Sequence, residues 1–165
     1  SPEFDKNRAI RADKLFFNED GTIQKVIPTL RGVGIADAKS KIQTDIYSAI
    51  SKTGAAVSFL NDQKRSEGWK IALTEKKAWV QYDHVDFGKA PLKFVNVKSA
   101  SSTGSSIEIR LDKADGPLLT KVKIGKSSAW QVNRSKLANV PTGEHDLIVS
   151  LGGKEPVELD WLSFE

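Results

Sequence analysis

Ile107-Glu108-Ile109-Arg110-Leu111 alternates apolar and charged residues without interruption. After Ala114-Asp115-Gly116-Pro117 the alternation resumes in Lys121-Val122-Lys123-Ile124. Successive side chains of an extended strand point to opposite faces. A period of two with charges on one side therefore marks a strand with one wet face and one buried face. Asp-Gly-Pro between the two runs supplies the turn. Working outward, similar runs occupy 55–60, 69–73, 78–85, 92–99, 128–133 and 157–164, and Leu147, Val149 and Leu151 share one side of a further segment. Gly88-Lys89-Ala90-Pro91, residues 101–106, Pro141-Thr142-Gly143 and Gly152-Gly153 break them apart. Short alternating strands with turns at intervals of about 8–12 residues indicate an all-β chain. About nine of them fit a jelly-roll β-sandwich of two antiparallel sheets. Residues 37–52 read equally as a short helix or, through Ile42-Gln43-Thr44-Asp45-Ile46-Tyr47-Ser48-Ala49-Ile50, as a strand.

Composition narrows the classes of function. The 165 residues are 39% hydrophobic and 28% charged, enough for one domain with a real core. No run approaches the roughly 18 apolar residues of a membrane span, and no apolar run follows a basic start as in a signal peptide. The chain has no Met and no Cys, so it reads as a fragment, and disulfides, thiolate catalysis and Cys-based zinc sites are excluded. The net charge of +4 divides evenly between residues 1–41 and the remainder, and no Lys/Arg run exceeds two. Such spacing suits solvated strand faces and argues against a nucleic-acid surface.

Two parts follow one another. Ser1-Pro2-Glu3-Phe4 reads as a cloning scar. Residues 5–34 form a unit in which Leu15-Phe16-Phe17 and 23–27 flank Asn18-Glu19-Asp20-Gly21, a β-hairpin signal. Thirty residues cannot bury a core alone, so this piece docks on its neighbour or is the edge of a larger domain. Residues 35–41 read as a linker, and 42–165 as the sandwich.

No enzyme motif is present. HExxH and GxSxG are missing, and Gly152-Gly153-Lys154 lacks the upstream Gly and the Ser/Thr of a phosphate loop. His84 and His145 sit in separate strand-like segments and read as unrelated. The four tryptophans carry more information. Trp79 and Trp161 lie between apolar neighbours on strong strands and read as core. Trp69 follows Ser66-Glu67-Gly68, and Trp130 follows Gly125-Lys126-Ser127-Ser128-Ala129. A large aromatic beside a polar loop is a candidate surface platform. A flat indole covers the C–H face of a sugar ring while carboxylates and amides take its hydroxyls. The alternative is that both indoles pack under loops.

In order, 78–88, Ser106–Asp112, 116–119, 123–131, 141–153 and Leu159–Glu165 resemble the family 6 carbohydrate-binding modules, with the match covering about 42–165. Residues 8–23 and 26–34 resemble the closing strands of a family 43 glycoside hydrolase propeller. The two resemblances agree, because such enzymes often carry such modules at their C-terminus. The resemblance implies a non-catalytic sandwich in which two aromatics, here Trp69 and Trp130, hold one sugar ring. The family's Asn falls at Glu158, which accepts hydrogen bonds but cannot donate as an amide does. It also implies a structural calcium ion held by Gln43, Asp45 and Asp160, oxygen donors that suit a hard cation. Some relatives use a second cleft on the concave sheet face; the residues alone do not decide this.

These readings yield an extracellular, periplasmic or cell-surface monomer of bacterial origin. It targets a covalently linked hydrolase to polysaccharide, with xylan or arabinoxylan first among the ligands. The rivals are a sandwich that braces the parent enzyme without binding sugar, and an independent hydrolase, which would need two carboxylates flanking a cleft.

Overall fold

A computed structural model describes residues 12–165. Twelve strands are present among them: β1 (Ala36–Asp37), β2 (Ile42–Gln43), β3 (Ala49–Ile50), β4 (Ala55–Phe59), β5 (Trp69–Leu73), β6 (Trp79–Asp86), β7 (Phe94–Ser101), β8 (Ser105–Leu111), β9 (Leu118–Ile124), β10 (Ser127–Lys136), β11 (Glu144–Leu151) and β12 (Val157–Phe164). The first sheet runs β1-β6-β11-β8-β9, with β3 also on β6; the second runs β10-β7-β12-β5-β4, with β2 on β12. From β5 onward the chain crosses between sheets at nearly every connection, the signature of a jelly roll. The all-β sandwich expected from the alternation is the fold observed. Only β1, parallel to β6, departs from antiparallel pairing.

The alternating residues fill the space between the sheets. Ile107, Ile109, Leu111, Val122, Leu147, Val149 and Leu151 meet Ile71, Leu73, Val95, Val97, Val157, Leu159, Leu162 and Phe164, all buried. Each buried aliphatic chain of this size contributes roughly 1.5–3 kcal/mol. Glu108, Arg110 and Lys121, set between them in sequence, therefore face outward. Tyr82 is fully buried yet satisfied, its hydroxyl donating to the Thr44 carbonyl at 3.0 Å. Burial pushes its ionisation well above the ordinary value.

Three short strands lie where the sequence shows no periodicity. Residues 35–41 supply β1, and Ala38 is fully buried with its amide on the Asp86 carbonyl at 2.9 Å. The stretch read as a linker thus belongs to the sandwich edge. Residues 37–52 form β2 and β3, not a helix. Two-residue strands are too short for a period of two to show.

The hairpin is present: Phe17 bridges Ile23, and Gly21 closes the turn at φ +80°. Residues 1–11, which include the scar and the start of the 5–34 unit, lie outside the described residues. The hairpin segment docks on the first sheet through Arg31. Its amide donates to the Tyr47 carbonyl, and its guanidinium reaches the carbonyls of Asp83 and His84. Lys14 meets His84, whose other ring nitrogen pairs with Glu144.

Candidate functional site

On the outer face of the second sheet, Glu158 of β12 lies opposite Ala72 of β5 and Ala100 of β7. Lys70, two residues before Ala72 on the same face, places Nζ 2.8 Å from Glu158 Oε1. Trp130 occupies the irregular stretch of β10 between Ser127 and Gln131. Lys98 Nζ stands 5.8 Å from the Trp130 ring centre, which puts the indole on this same outer face. Ser101, Ser102, Ser128, Pro156 and Glu158 line a shallow groove of about 280 Å³ beside it. Glu158 offers acceptors and Lys70 the donors that a carboxylate lacks. Together they restore the two-way hydrogen bonding that an amide would supply.

Trp69 does not join this group. It pairs with Phe59 across β4 and β5, with ring centres 3.9 Å apart, and is 43% exposed. Its neighbours on the same side of β5 are the buried Ile71 and Leu73. Trp69 therefore faces the inner side, past the end of the core, whereas Trp130 faces outward. Three strand spacings, roughly 14 Å, also separate β5 from β10. Trp69 and Trp130 thus stand on strands with β7 and β12 between them.

The residues implied for calcium do lie near one another. Gln43 opposes Trp161 in the β2–β12 pair, and the Thr44 amide donates to the Asp160 carbonyl at 2.9 Å. Asp160 is buried, and its Oδ2 meets Lys98 Nζ at 2.7 Å. Burial, and then the neighbouring Asp160 charge, raises the Asp45 carboxyl above its ordinary value. Two carboxylates in one neighbourhood are the oxygen donors that suit a hard cation. Among the described residues no three His, Asp or Glu side chains converge as a metal site, so the Gln43 amide oxygen and backbone carbonyls would have to complete the shell.

The first sheet carries a larger groove, about 630 Å³, that sequence reading missed. Across its outer face Trp79, Ser150, Glu108 and Lys121 stand in register, followed by Gln81, Ile148 and Arg110. Arg110 Nη2 donates to Glu108 Oε2 at 3.1 Å and Nη1 to the Gly116 carbonyl at 3.0 Å. Trp79 was read as core because Ala78 and Val80 flank it, yet those two face inward. The same alternation that buries Val80 and Tyr82 turns Trp79 and Gln81 outward. Trp161 is likewise half-exposed, with Lys41 Nζ 4.7 Å from its ring centre. His84 and His145 are spent separately, His145 on Asp112.

An outward indole beside charged and amide side chains, on a jelly-roll face, is the arrangement of a sugar-binding module. Residues 48–165 match the family model for carbohydrate binding module, family 6. The chain belongs to carbohydrate-binding module family 6. Family 6 modules are non-catalytic. An arabinoxylan arabinofuranohydrolase of Paenibacillus polymyxa is 25% identical over 160 residues, 88% of this chain and 24% of that protein. Endo-1,4-beta-xylanase A of Thermoclostridium stercorarium is 26% identical over 133 residues, 76% of this chain and 25% of its own length. The module thus spans about a quarter of these relatives, and the hydrolase propeller itself is not within the 165 residues. A family 6 module from Clostridium cellulolyticum in complex with xylose superposes with a TM-score of 0.69 at 26% identity, over 78% of this chain and 98% of that one. An arabinoxylan arabinofuranohydrolase of Bacillus subtilis, from glycoside hydrolase family 43, gives a TM-score of 0.69 at 21% identity, covering 92% of this chain and 33% of that one.

Proposed function

We propose that this module binds a plant-type polysaccharide, xylan or arabinoxylan, and holds a linked hydrolase on it. The observation that carries the reading is an outward indole on the same sheet face as a donor–acceptor pair: Trp130, with Lys98 near its ring, and Glu158 held by Lys70. The indole stacks on a sugar ring while carboxylate and ammonium take hydroxyls from opposite sides. The relatives' names, an arabinoxylan arabinofuranohydrolase and a xylanase, support xylan as the polymer. Open grooves of this kind imply millimolar to micromolar affinity, about −4 to −8 kcal/mol. Tethering makes that sufficient, because the attached enzyme gains effective concentration at an insoluble substrate. The Trp79 groove is read as a second sugar site, favoured by the register of Trp79 with Glu108 and of Gln81 with Arg110.

Residues 12–34 are read as the close of a preceding catalytic domain. Nine of the thirteen exposed large apolar residues among those described fall between Leu15 and Ile35. The match to the Bacillus enzyme extends over 92% of this chain, against 78% for the isolated xylose-bound module. Among the described residues no helix is long and apolar enough to cross a membrane. A cell-surface, periplasmic or extracellular place follows from the polymer proposed. A calcium ion bound by Asp45, Asp160 and Gln43 would fasten β2 to β12, a structural service with no part in sugar contact.

Affinity gel electrophoresis against xylan, arabinan, mixed-linkage glucan, laminarin and agarose tests the reading. Xylan is expected to retard the chain, Trp130→Ala and Trp79→Ala each to weaken retardation, and the double variant to abolish it. Retardation by a different polymer would replace the ligand. No retardation by any, with the protein folded, would overturn sugar binding and leave the docked hairpin and a bracing role.

A further inference from the structure

The charges around the Trp79 groove do not balance. Glu108, its central carboxylate, is already met by Arg110 at 3.1 Å and by Lys121 at 3.8 Å from the far side. Asp115 at the groove's edge has Lys113 at 3.8 Å. Lys76 and Lys77 line the same groove next to Trp79. Among the described residues neither has a carboxylate within 4.0 Å. On the second sheet, by contrast, the ammonium groups nearest the sugar groove, Lys70 and Lys98, are both taken by carboxylates, at 2.8 and 2.7 Å.

Lys77 also breaks a local rule. It sits at φ +69°, in the left-handed region where a side chain costs energy and glycine does not. The turn closes through backbone alone, Ala78 N to Glu75 O at 2.9 Å, so nothing in the turn calls for a lysine. Strain of this kind, held at the rim of a groove, points to a role for the side chain.

We propose that the Trp79 groove is built for an anionic polysaccharide, one bearing uronic-acid carboxylates, with Lys76 and Lys77 as the carboxylate's partners. The inference rests on the reading of this groove as a sugar site and names its substrate class. A neutral sugar offers an ammonium only hydroxyl contacts, whereas a uronate offers charge-assisted hydrogen bonds. Trp79 stacks on the backbone sugar, the neutralised Glu108–Arg110 pair takes hydroxyls, and the two free ammonium groups take the pendant carboxylate.

Isothermal titration of the whole chain with glucuronoxylan, and with the same polymer after its uronic acids are reduced to neutral sugars, tests this. The native polymer is expected to bind about five- to tenfold more tightly at low salt, with the advantage fading as salt screens it. Lys76→Gln with Lys77→Gly should remove the advantage, bringing the native polymer's affinity down to that of the reduced polymer. Trp79→Ala should weaken both polymers. Equal affinities in the unaltered chain, or an advantage that survives the lysine substitutions, overturn the anionic preference and leave sugar binding intact. If neither polymer binds, the sugar-site reading itself falls, and this inference with it.

Discussion

The two outer faces of the sandwich are built from the same pattern and handle charge in opposite ways. On the second sheet each carboxylate is locked to a lysine, Glu158 to Lys70 and the buried Asp160 to Lys98. On the first sheet Glu108 is shared between Arg110 and Lys121, and at the groove rim Lys76 and Lys77 have no carboxylate partner among the described residues. On one face carboxylate and ammonium are matched one to one, and on the other the groove rim carries ammonium groups in excess. An ion pair gives up its hydration to form. A lysine left in water at a groove rim has given up little and can still meet an anion.

The largest expected effect separates the faces by stability. The Asp160 side chain is 6% exposed and Lys98 is its ion-pair partner. Lys98→Met leaves a buried carboxylate without a cation, and should cost about 2–3 kcal/mol, somewhat below a fully buried pair because Lys98 is a third exposed. Arg110→Met should cost about 1 kcal/mol or less, since Glu108 is 28% exposed and keeps Lys121. Urea unfolding of both variants measures the contrast. Equal losses would dissolve it.

The proposed calcium ion gives the next expected effect, on the second sheet alone. Binding at Asp45 and Asp160 to about a hundredfold excess over the dissociation constant adds about 2.7 kcal/mol at most, or several degrees of melting temperature for a domain this size. Melting in calcium against a chelator should show that rise, and Asp45→Asn should remove most of it. In Lys98→Met the calcium effect should grow, because Asp160 then lacks its own cation. A melting temperature indifferent to calcium in both proteins would mean that Lys98 alone neutralises Asp160.

How far the sequence reached follows from the range of its signals. Period two is local, and every strand of five or more residues lies where alternation put one, within a few residues at the ends. β1, β2 and β3 carry two residues each and were read as linker or ambiguous, because their pairing on β6 and β12 comes from distant chain. The site was legible residue by residue and not as a constellation. Trp130 and Glu158 share one face, with β7 between their strands, and Trp69 was placed with them by resemblance. Strand order, which puts two strands between β5 and β10, is set by crossovers that no local pattern records. Trp79 was the avoidable miss. Its flanks were apolar, and the alternation already assigned those flanks to the core.

The smallest effect bears on the first sheet's rim. At φ +69° a lysine carries the steric cost that glycine escapes, while glycine loses more backbone entropy on folding. In the left-handed region the first term outweighs the second. Lys77→Gly should therefore raise stability by about 0.5–1 kcal/mol, readable as a small upward shift of the urea midpoint at unchanged slope. The same substitution removes one of the two ammonium groups assigned to the uronate, so stability and selectivity should move in opposite directions. A variant that is more stable and keeps full preference for the acidic polymer would make Lys77 an accident of the turn and leave Lys76 alone with the ligand. A variant that is less stable would mean the lysine side chain supports the turn itself, and the strain would need no functional explanation.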